Sequence, residues 1–326
     1  MSRMMPLEKA IKKYYEEHFS PKDYENVVST SPYGNREFGF QLKNGLFLRN
    51  RSFSDRDEFL RYLKVNGPIG VYSGAVYDQP LSDNVRIQDA EWIGRELVFD
   101  FDINEYDAVR LCGCTGRQYC PKCWGLLQDA AIFLDETLRE DFGFKHLVWV
   151  FTGGRGIHCW IRDTEVFYLT QKQRNAVVSY MSLIHDPKGD QRVDPLPSAP
   201  KLLTRRIYSK IITSFIINTE LKDLRKLLGF PKKKIELLKN EVKMFIDTGV
   251  LVNPIGNTLK NTERELLIKT ALLYRYPRID YKVTIDTRRI LRIPGSIHGS
   301  TGMISEIITD PASFYPDDAL SVYDVL

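Results

Sequence analysis

Apolar residues first recur at helical spacing. Leu7, Ile11, Tyr14, Tyr15 and His18 fall on one face, and Ser20-Pro21 ends the run, so the first twenty residues predict a helix. Residues 36–49, REFGFQLKNGLFLR, alternate around Asn44-Gly45, a dipeptide that turns hairpins. A polar segment with Asp55 and Asp57 leads into a short helix over 56–64, and VYSGAVY at 71–77 reads as a strand. ELVFDFDI (96–103) is another strand. A helix over about 125–141 places Leu126, Leu127, Ala130, Phe133, Leu134 and Leu138 on one face and stops at Gly143. HLVWVF (146–151) and GIHCWI (156–161) are apolar strands joined by a glycine turn. Strand, long helix, strand predicts an α/β crossover followed by a hairpin.

From about 164 to 276 helical patterns dominate, with Thr262-Glu-Arg-Glu265 as a capping box. YKVTID (281–286) reads as a returning strand, RRIL (288–291) as a helix that Asp286 caps, and the last fifteen residues as a loose tail. The pattern predicts an α/β (α+β) fold: a mixed-sheet core of 1–163 and 274–310, a mainly helical insertion over 164–273, and a tail over 311–326.

Composition narrows the class. Hydrophobic residues are 43% and charged residues 27%, which excludes a disordered chain, a collagen and a coiled-coil rod. Forty-six Lys+Arg against 42 Asp+Glu leave only +4, so nucleic-acid contact must come from local patches such as Arg205-Arg206 or Lys232–Lys234. A lysine run is more often a solvated face. The start is charged and has no apolar signal core, and no stretch reaches the roughly 20 apolar residues of a membrane span. The chain reads as soluble and intracellular. Four of its five cysteines fall between Cys112 and Cys123, a clustering typical of metal sites rather than disulfide scaffolds.

Four constellations carry chemistry. Asp100 and Asp102 are two apart on a strand and share a face. At 4–5 Å and an effective dielectric near 20, two such carboxylates repel by about 3–4 kcal/mol, which a hard divalent cation, Mg²⁺ or Mn²⁺, would relieve. The plain alternative is an edge strand with two solvated aspartates. Cys112, Cys114, Cys120 and Cys123 fit tetrahedral Zn²⁺ in a closed structural site. Thr152-Gly-Gly-Arg-Gly-Ile-His158 offers backbone N–H groups and the Arg155 fork to an anion; it is not a P-loop. Finally, Arg292 and His298 suit phosphate oxygens near a metal centre, with Asp280 or Asp286 as a third carboxylate.

In this order, REFGFQLKNGLFLRNRSF, ELVFDFDI, the knuckle ending CPKCW, EDFGFKHLVWVFTGGRGIHCW and VTIDTRRILRIPGSIH resemble the small catalytic subunit of archaeal and eukaryotic DNA primase. The resemblance covers roughly 8–163 and 274–305 and implies residue roles. Asp100 and Asp102 match the paired metal-binding aspartates, and Asp280, in PRID, matches the third. Thr152 stands where the family has Ser in its nucleotide motif, with Arg155 and His158 as that motif's Arg and His. Arg292 and His298 match triphosphate-contacting residues, and Arg49 matches an Arg near the triphosphate. The resemblance further implies two catalytic ions, ribonucleoside triphosphates as substrates and a single-stranded DNA template. It implies a primase large subunit as heterodimer partner, with a replicative polymerase as a further one. The compartment would be the nucleus in a eukaryote, or the cytoplasm and nucleoid in an archaeon. Three rival readings are a stand-alone repair primase-polymerase, a D-x-D glycosyltransferase using Mn²⁺, and a non-catalytic zinc nucleic-acid-binding protein.

Overall fold

The computed structural model describes residues 5–85, 87–185, 192–193, 201–248 and 258–326. The chain divides into two compact units. One comprises Met1–Phe101, Phe144–Val178 and Asp280–Leu326; the other comprises Asp102–Gly143 and Ser179–Ile279.

The first unit opens with α1 (Leu7–Glu17) and α2 (Lys22–Val27), then the hairpin β1 (Arg36–Gln41) and β2 (Phe47–Arg51). Leu42 N–H donates to Leu46 C=O at 2.8 Å, and Gly45 takes φ +80°, a conformation a Cβ would resist. Helix α3 (Arg56–Asn66) starts where the Asp55 side chain accepts from Glu58 N–H and stops at left-handed Gly67. Then come β3 (Gly70–Tyr77), β4 (Trp92–Gly94) and β5 (Leu97–Asp102), whose last residue passes into the second unit. After α4 (Pro121–Glu140) of the second unit, the first resumes with β6 (Leu147–Phe151), β7 (Gly156–Ile161) and α5 (Thr164–Phe167).

Two sheets result. The first runs β10–β3–β1–β2, where β10 is Leu291–Arg292, and β4 also pairs with β3. The second runs β11–β6–β7–β5, where β11 is Glu306–Ile308. The pairings β1–β2, β1–β3, β3–β4, β3–β10, β6–β7 and β6–β11 are antiparallel. The architecture is therefore the expected α+β, with the strands of the first unit in two sheets. The expected crossover takes a different form, because β5 lies beside β7 rather than β6. Both sheets contribute to one core: Phe38, Phe40 and Val71 from the first join Val98, Val150 and Trp160 from the second. Phe38 packs against Phe59 of α3 with ring centroids 4.9 Å apart. Full burial of such a side chain contributes roughly 1.5–3 kcal/mol.

Three expectations are corrected here. Residues expected as a strand over 281–286 form a short helix, Tyr281–Ile285, because Asp280 caps it and accepts from Lys282 N–H. RRIL is not a helix: Asp286 accepts from Arg288 N–H at 2.9 Å in a turn that leads directly into β10. The C-terminal residues are not loose, since Val322 is fully buried and its N–H donates to Gly302 C=O at 2.8 Å.

The second unit is mainly helical. Helix α6 (Gln171–Met181) leads into it, and β8 (Ile184–His185) pairs antiparallel with β9 (Arg192–Val193). It continues through α7 (Lys201–Arg206), a π-helical stretch Ile207–Ile212, α8 (Thr213–Asn218), α9 (Leu221–Leu228), α10 (Lys232–Thr248) and α11 (Asn261–Arg275); the helix begun by Asp280 is α12. Its core gathers Phe133, Ile207, Ile211, Phe215 and Tyr276. This unit takes in 102–143, with the cysteines, together with 179–279, whereas 164–178 belong to the first. Residues 186–191, 194–200 and 249–257 of the expected insertion and its flank lie outside the described residues.

Candidate active site and cysteine cluster

Along β5 the alternation works as the sequence suggests. Leu97, Val98, Phe99 and Phe101 are buried, and Asp100 and Asp102 are the half-exposed positions. Two elements reach Asp100. His158, on β7, brings Nε2 to within 3.3 Å of its Oδ1. Asp280, ahead of α12, donates its backbone N–H to Asp100 C=O at 3.0 Å. The Asp280 carboxylate accepts from Lys282 N–H at 3.1 Å, and that of Asp102 accepts from Asn104 N–H at 3.2 Å. One such bond leaves most of the Asp280 carboxylate's lone-pair sites open. The donors are hard oxygens, the set that suits Mg²⁺ or Mn²⁺.

The glycine turn is shaped by close approach. Thr152 N–H and Oγ1 both bond Gly156 C=O, at 3.1 and 3.0 Å. A Cβ on Gly154 would stand 2.9 Å from His298 Nε2, so glycine is what lets that imidazole lie against the turn. Thr301 Oγ1 ties the His298 loop to Gly153 C=O at 2.6 Å. His298 Nδ1 lies 3.1 Å from Ser300 Oγ. The structure therefore brings together Asp100, His158 and the Asp280 backbone, and separately packs the Thr152–Gly156 turn against His298.

Arg292 and Arg49 sit in the first sheet. Arg292 is held by Tyr72, whose hydroxyl accepts from Nη2 at 2.7 Å and whose ring lies 4.8 Å from the guanidinium carbon. Burial lowers the Arg292 pKa below its ordinary value. Arg49 pairs with the buried Glu37 at 2.9 Å and donates to Arg288 C=O at 2.9 Å. The partners Tyr72 and Glu37 were not singled out from the sequence. Both lie in strands the pattern does predict, but nothing local links Tyr72 to an arginine 220 positions away.

The cysteines converge. The Sγ atoms of Cys112, Cys114, Cys120 and Cys123 all lie within 4.8 Å of one another, and among the described residues theirs is the metal-holding group of three or more His, Cys, Asp or Glu ligands that meets this limit. Zn–S bonds of about 2.3 Å in a tetrahedron require sulfurs about 3.8 Å apart, and Cys120 and Cys123 are separated by 3.8 Å. The set could hold a metal such as zinc. The local fold prepares it: Cys120 caps α4, Pro121 fills the first turn, and Cys120 N–H donates to Cys123 Sγ at 3.2 Å. The Arg110–Asp107 pair ties down the preceding loop, with Asp107 accepting from Gly116 N–H at 2.9 Å. The hydrogen bond with Cys112 and burial hold the Cys114 thiol up at about 12. Burial also works to raise Cys120, but the Cys123 N–H and the neighbouring thiols together bring it down to about 7. Four thiols this close cannot all ionise without a cation among them.

The family described as DNA primase small subunit matches residues 99–310. The chain belongs to that family. The DNA primase small subunit of Saccharomyces cerevisiae is 30% identical over 346 aligned positions, covering 96% of this chain and 83% of the yeast protein. That of Caenorhabditis elegans is 30% identical, covering 90% of this chain and 80% of its own length. An archaeal relative, the small subunit PriS of Archaeoglobus fulgidus, is 28% identical, covering 96% and 84%. The glycosyltransferase, the zinc nucleic-acid-binding module and the stand-alone primase-polymerase find no support in these likenesses. The primase small subunit is the catalytic subunit, and the matched span takes in the paired aspartates, the cysteines, the glycine turn and Arg292–His298. No described helix is long and apolar enough to cross a membrane.

Proposed function

We propose that this primase subunit makes short RNA primers on single-stranded DNA by template-directed, two-metal nucleotidyl transfer, for replication. Asp100, Asp102 and Asp280 would hold two divalent ions, Mg²⁺ or Mn²⁺, which supply the charge that activates a 3′-hydroxyl and steadies the leaving pyrophosphate. The observation that supports this reading is the 3.0 Å bond from Asp280 N–H to Asp100 C=O, between residues 180 positions apart in the sequence.

The chain's own groups have distinct tasks. Asp100 and Asp102 stay half-exposed on an otherwise buried strand, so their oxygens are open to ligands while their backbone is rigid. His158 Nε2, at 3.3 Å, would orient the Asp100 carboxylate, and its ring would sit beside the triphosphate that Arg155 contacts. The Thr152–Gly156 turn, Arg155, Arg292 and His298 bind the triphosphate and stabilise the charge that develops on it. Arg49, already fixed by Glu37, adds a further cation. The cysteines, holding one zinc, keep the start of α4 in shape. The partners in this account are single-stranded DNA, ribonucleoside triphosphates, a primase large subunit and, with it, a replicative polymerase.

Incubating the chain with single-stranded DNA, Mn²⁺ and labelled ribonucleotides, with and without a large subunit, tests the activity. Asp100→Ala or Asp102→Ala is expected to lower dinucleotide synthesis by at least about 10³-fold with the thermal melt unchanged. Full activity in either variant refutes the assignment.

A further inference from the structure

The helix that begins at Asp280 is too short to persist alone. Helix α12 has five residues, and nucleating a helix fixes several dihedrals for a single internal bond. Its position must come from outside, and the first unit supplies ties at both ends. At its start, Asp280 N–H donates to Asp100 C=O. Near its end, the fully buried Thr284 donates Oγ1–H to Val98 C=O at 2.9 Å, two residues before Asp100 on β5. Beyond that, Arg95 Nη1 donates to Val283 C=O at 2.9 Å and to Asp286 C=O at 2.8 Å.

Arg95 is unusual in its own right. It is buried just ahead of β5, and its carbonyl is gripped by Arg174 Nη2, while Arg174 Nη1 donates to Glu96 C=O at 3.1 Å. Burial, and then the like charge of Arg174, pull Arg95 down to about 9, so it remains a cation at neutral pH. A cation at the carbonyl end of α12 has the favourable sign for the helix dipole. A buried arginine spent on two backbone carbonyls has no purpose in packing that an apolar side chain would not serve better.

We propose that Arg95 and Thr284 are positioning residues for Asp280: they fix α12 against β5 so that the third carboxylate stands at the height of Asp100. The inference rests on the three-acid reading given above. Neither side chain need touch substrate.

Mn²⁺ titration followed by electron paramagnetic resonance, on the full chain without nucleotide, tests this. Amide hydrogen exchange over 280–285 supplies a second readout. Thr284→Val removes the hydroxyl at nearly constant volume, and Thr284→Ser keeps it. The expected result for Thr284→Val is about fivefold weaker Mn²⁺ binding and faster exchange at Asp280, both reversed in Thr284→Ser. The Mn²⁺ concentration for half-maximal primer synthesis should rise more than kcat falls. Arg95→Gln should move the same readouts in the same direction; should it fail to fold, Thr284→Val decides. Asp280→Asn serves as reference. If Asp280→Asn loses Mn²⁺ binding while folded Thr284→Val binds as the parent chain does, the positioning role is overturned. If Asp280→Asn also binds normally, the three-acid reading itself falls.

Discussion

Glu96 and Arg36 meet in the core of the first unit, where neither exposes more than a trace of its side chain. Arg36 Nη1 and Nη2 reach the two carboxylate oxygens at 2.8 Å each, a bidentate fork, and Ser29 N–H adds a bond at 3.0 Å. Burial alone would raise the Glu96 carboxyl; the Arg36 charge outweighs it and holds the group below its ordinary value. A carboxyl depressed in the folded state contributes stability above its unfolded pKa of about 4.3 and loses it as pH falls through the folded value. Glu96→Gln is therefore expected to cost about 3–5 kcal/mol near neutral pH, because Arg36 is left buried without a counter-charge. Its thermal melt should also lose less than the parent's does between pH 6 and pH 3. A melt at pH 6 equal to the parent's contradicts this. The pair could not be read from the sequence, since the residues are sixty positions apart and each is an ordinary strand-flanking charge.

At the scale of elements, legibility followed how local the cause was. The hairpin around Asn44-Gly45 was readable because alternation and turn chemistry are both written within a dozen residues, and so was α3, which carries its own cap in Asp55. The segment 281–285 was misread because YKVTI alternates apolar with polar residues and ends in three β-branched ones, like a strand. What makes it helical is the Asp280 cap together with the Val98 carbonyl and Arg95, both supplied from nearly two hundred positions away. The RRIL stretch failed similarly: pairing of β10 with β3 overrides local preference. The convergence of the cysteines was legible, since four thiols within twelve residues leave little for the fold to decide. The start of α4 depends on it. One zinc per chain is expected by elemental analysis, and Cys123→Ser should lose it and lower the melting temperature. Strong chelators should do the same; a chain that keeps its melt after metal removal would show the site to be dispensable for folding.

Over the whole molecule, the sequence conveys the order of the catalytic segments but not the division of the chain. The first unit is assembled from three separate stretches and the second from two, and no composition shift marks the switch at Asp102. The second unit's extent follows instead from burial: Phe133 of α4 shares a core with Ile207, Phe215 and Tyr276. The candidate acids are written more locally than the domain division is. Asp100 and Asp102 stand out because charge recurs on one face of an apolar strand, whereas the choice of Asp280 over Asp286 required the family resemblance. The structure sets the Asp280 backbone at Asp100, while the Asp286 side chain is occupied with the Arg288 turn. The central claim is that three acids gather two divalent ions beside a nucleotide's phosphates. It is tested most directly by anomalous diffraction from crystals grown with Mn²⁺ and a non-hydrolysable ribonucleoside triphosphate. The account predicts two manganese peaks about 3.5–4 Å apart, ligated by Asp100, Asp102 and Asp280. Manganese bound elsewhere, with those three carboxylates bare, would contradict it.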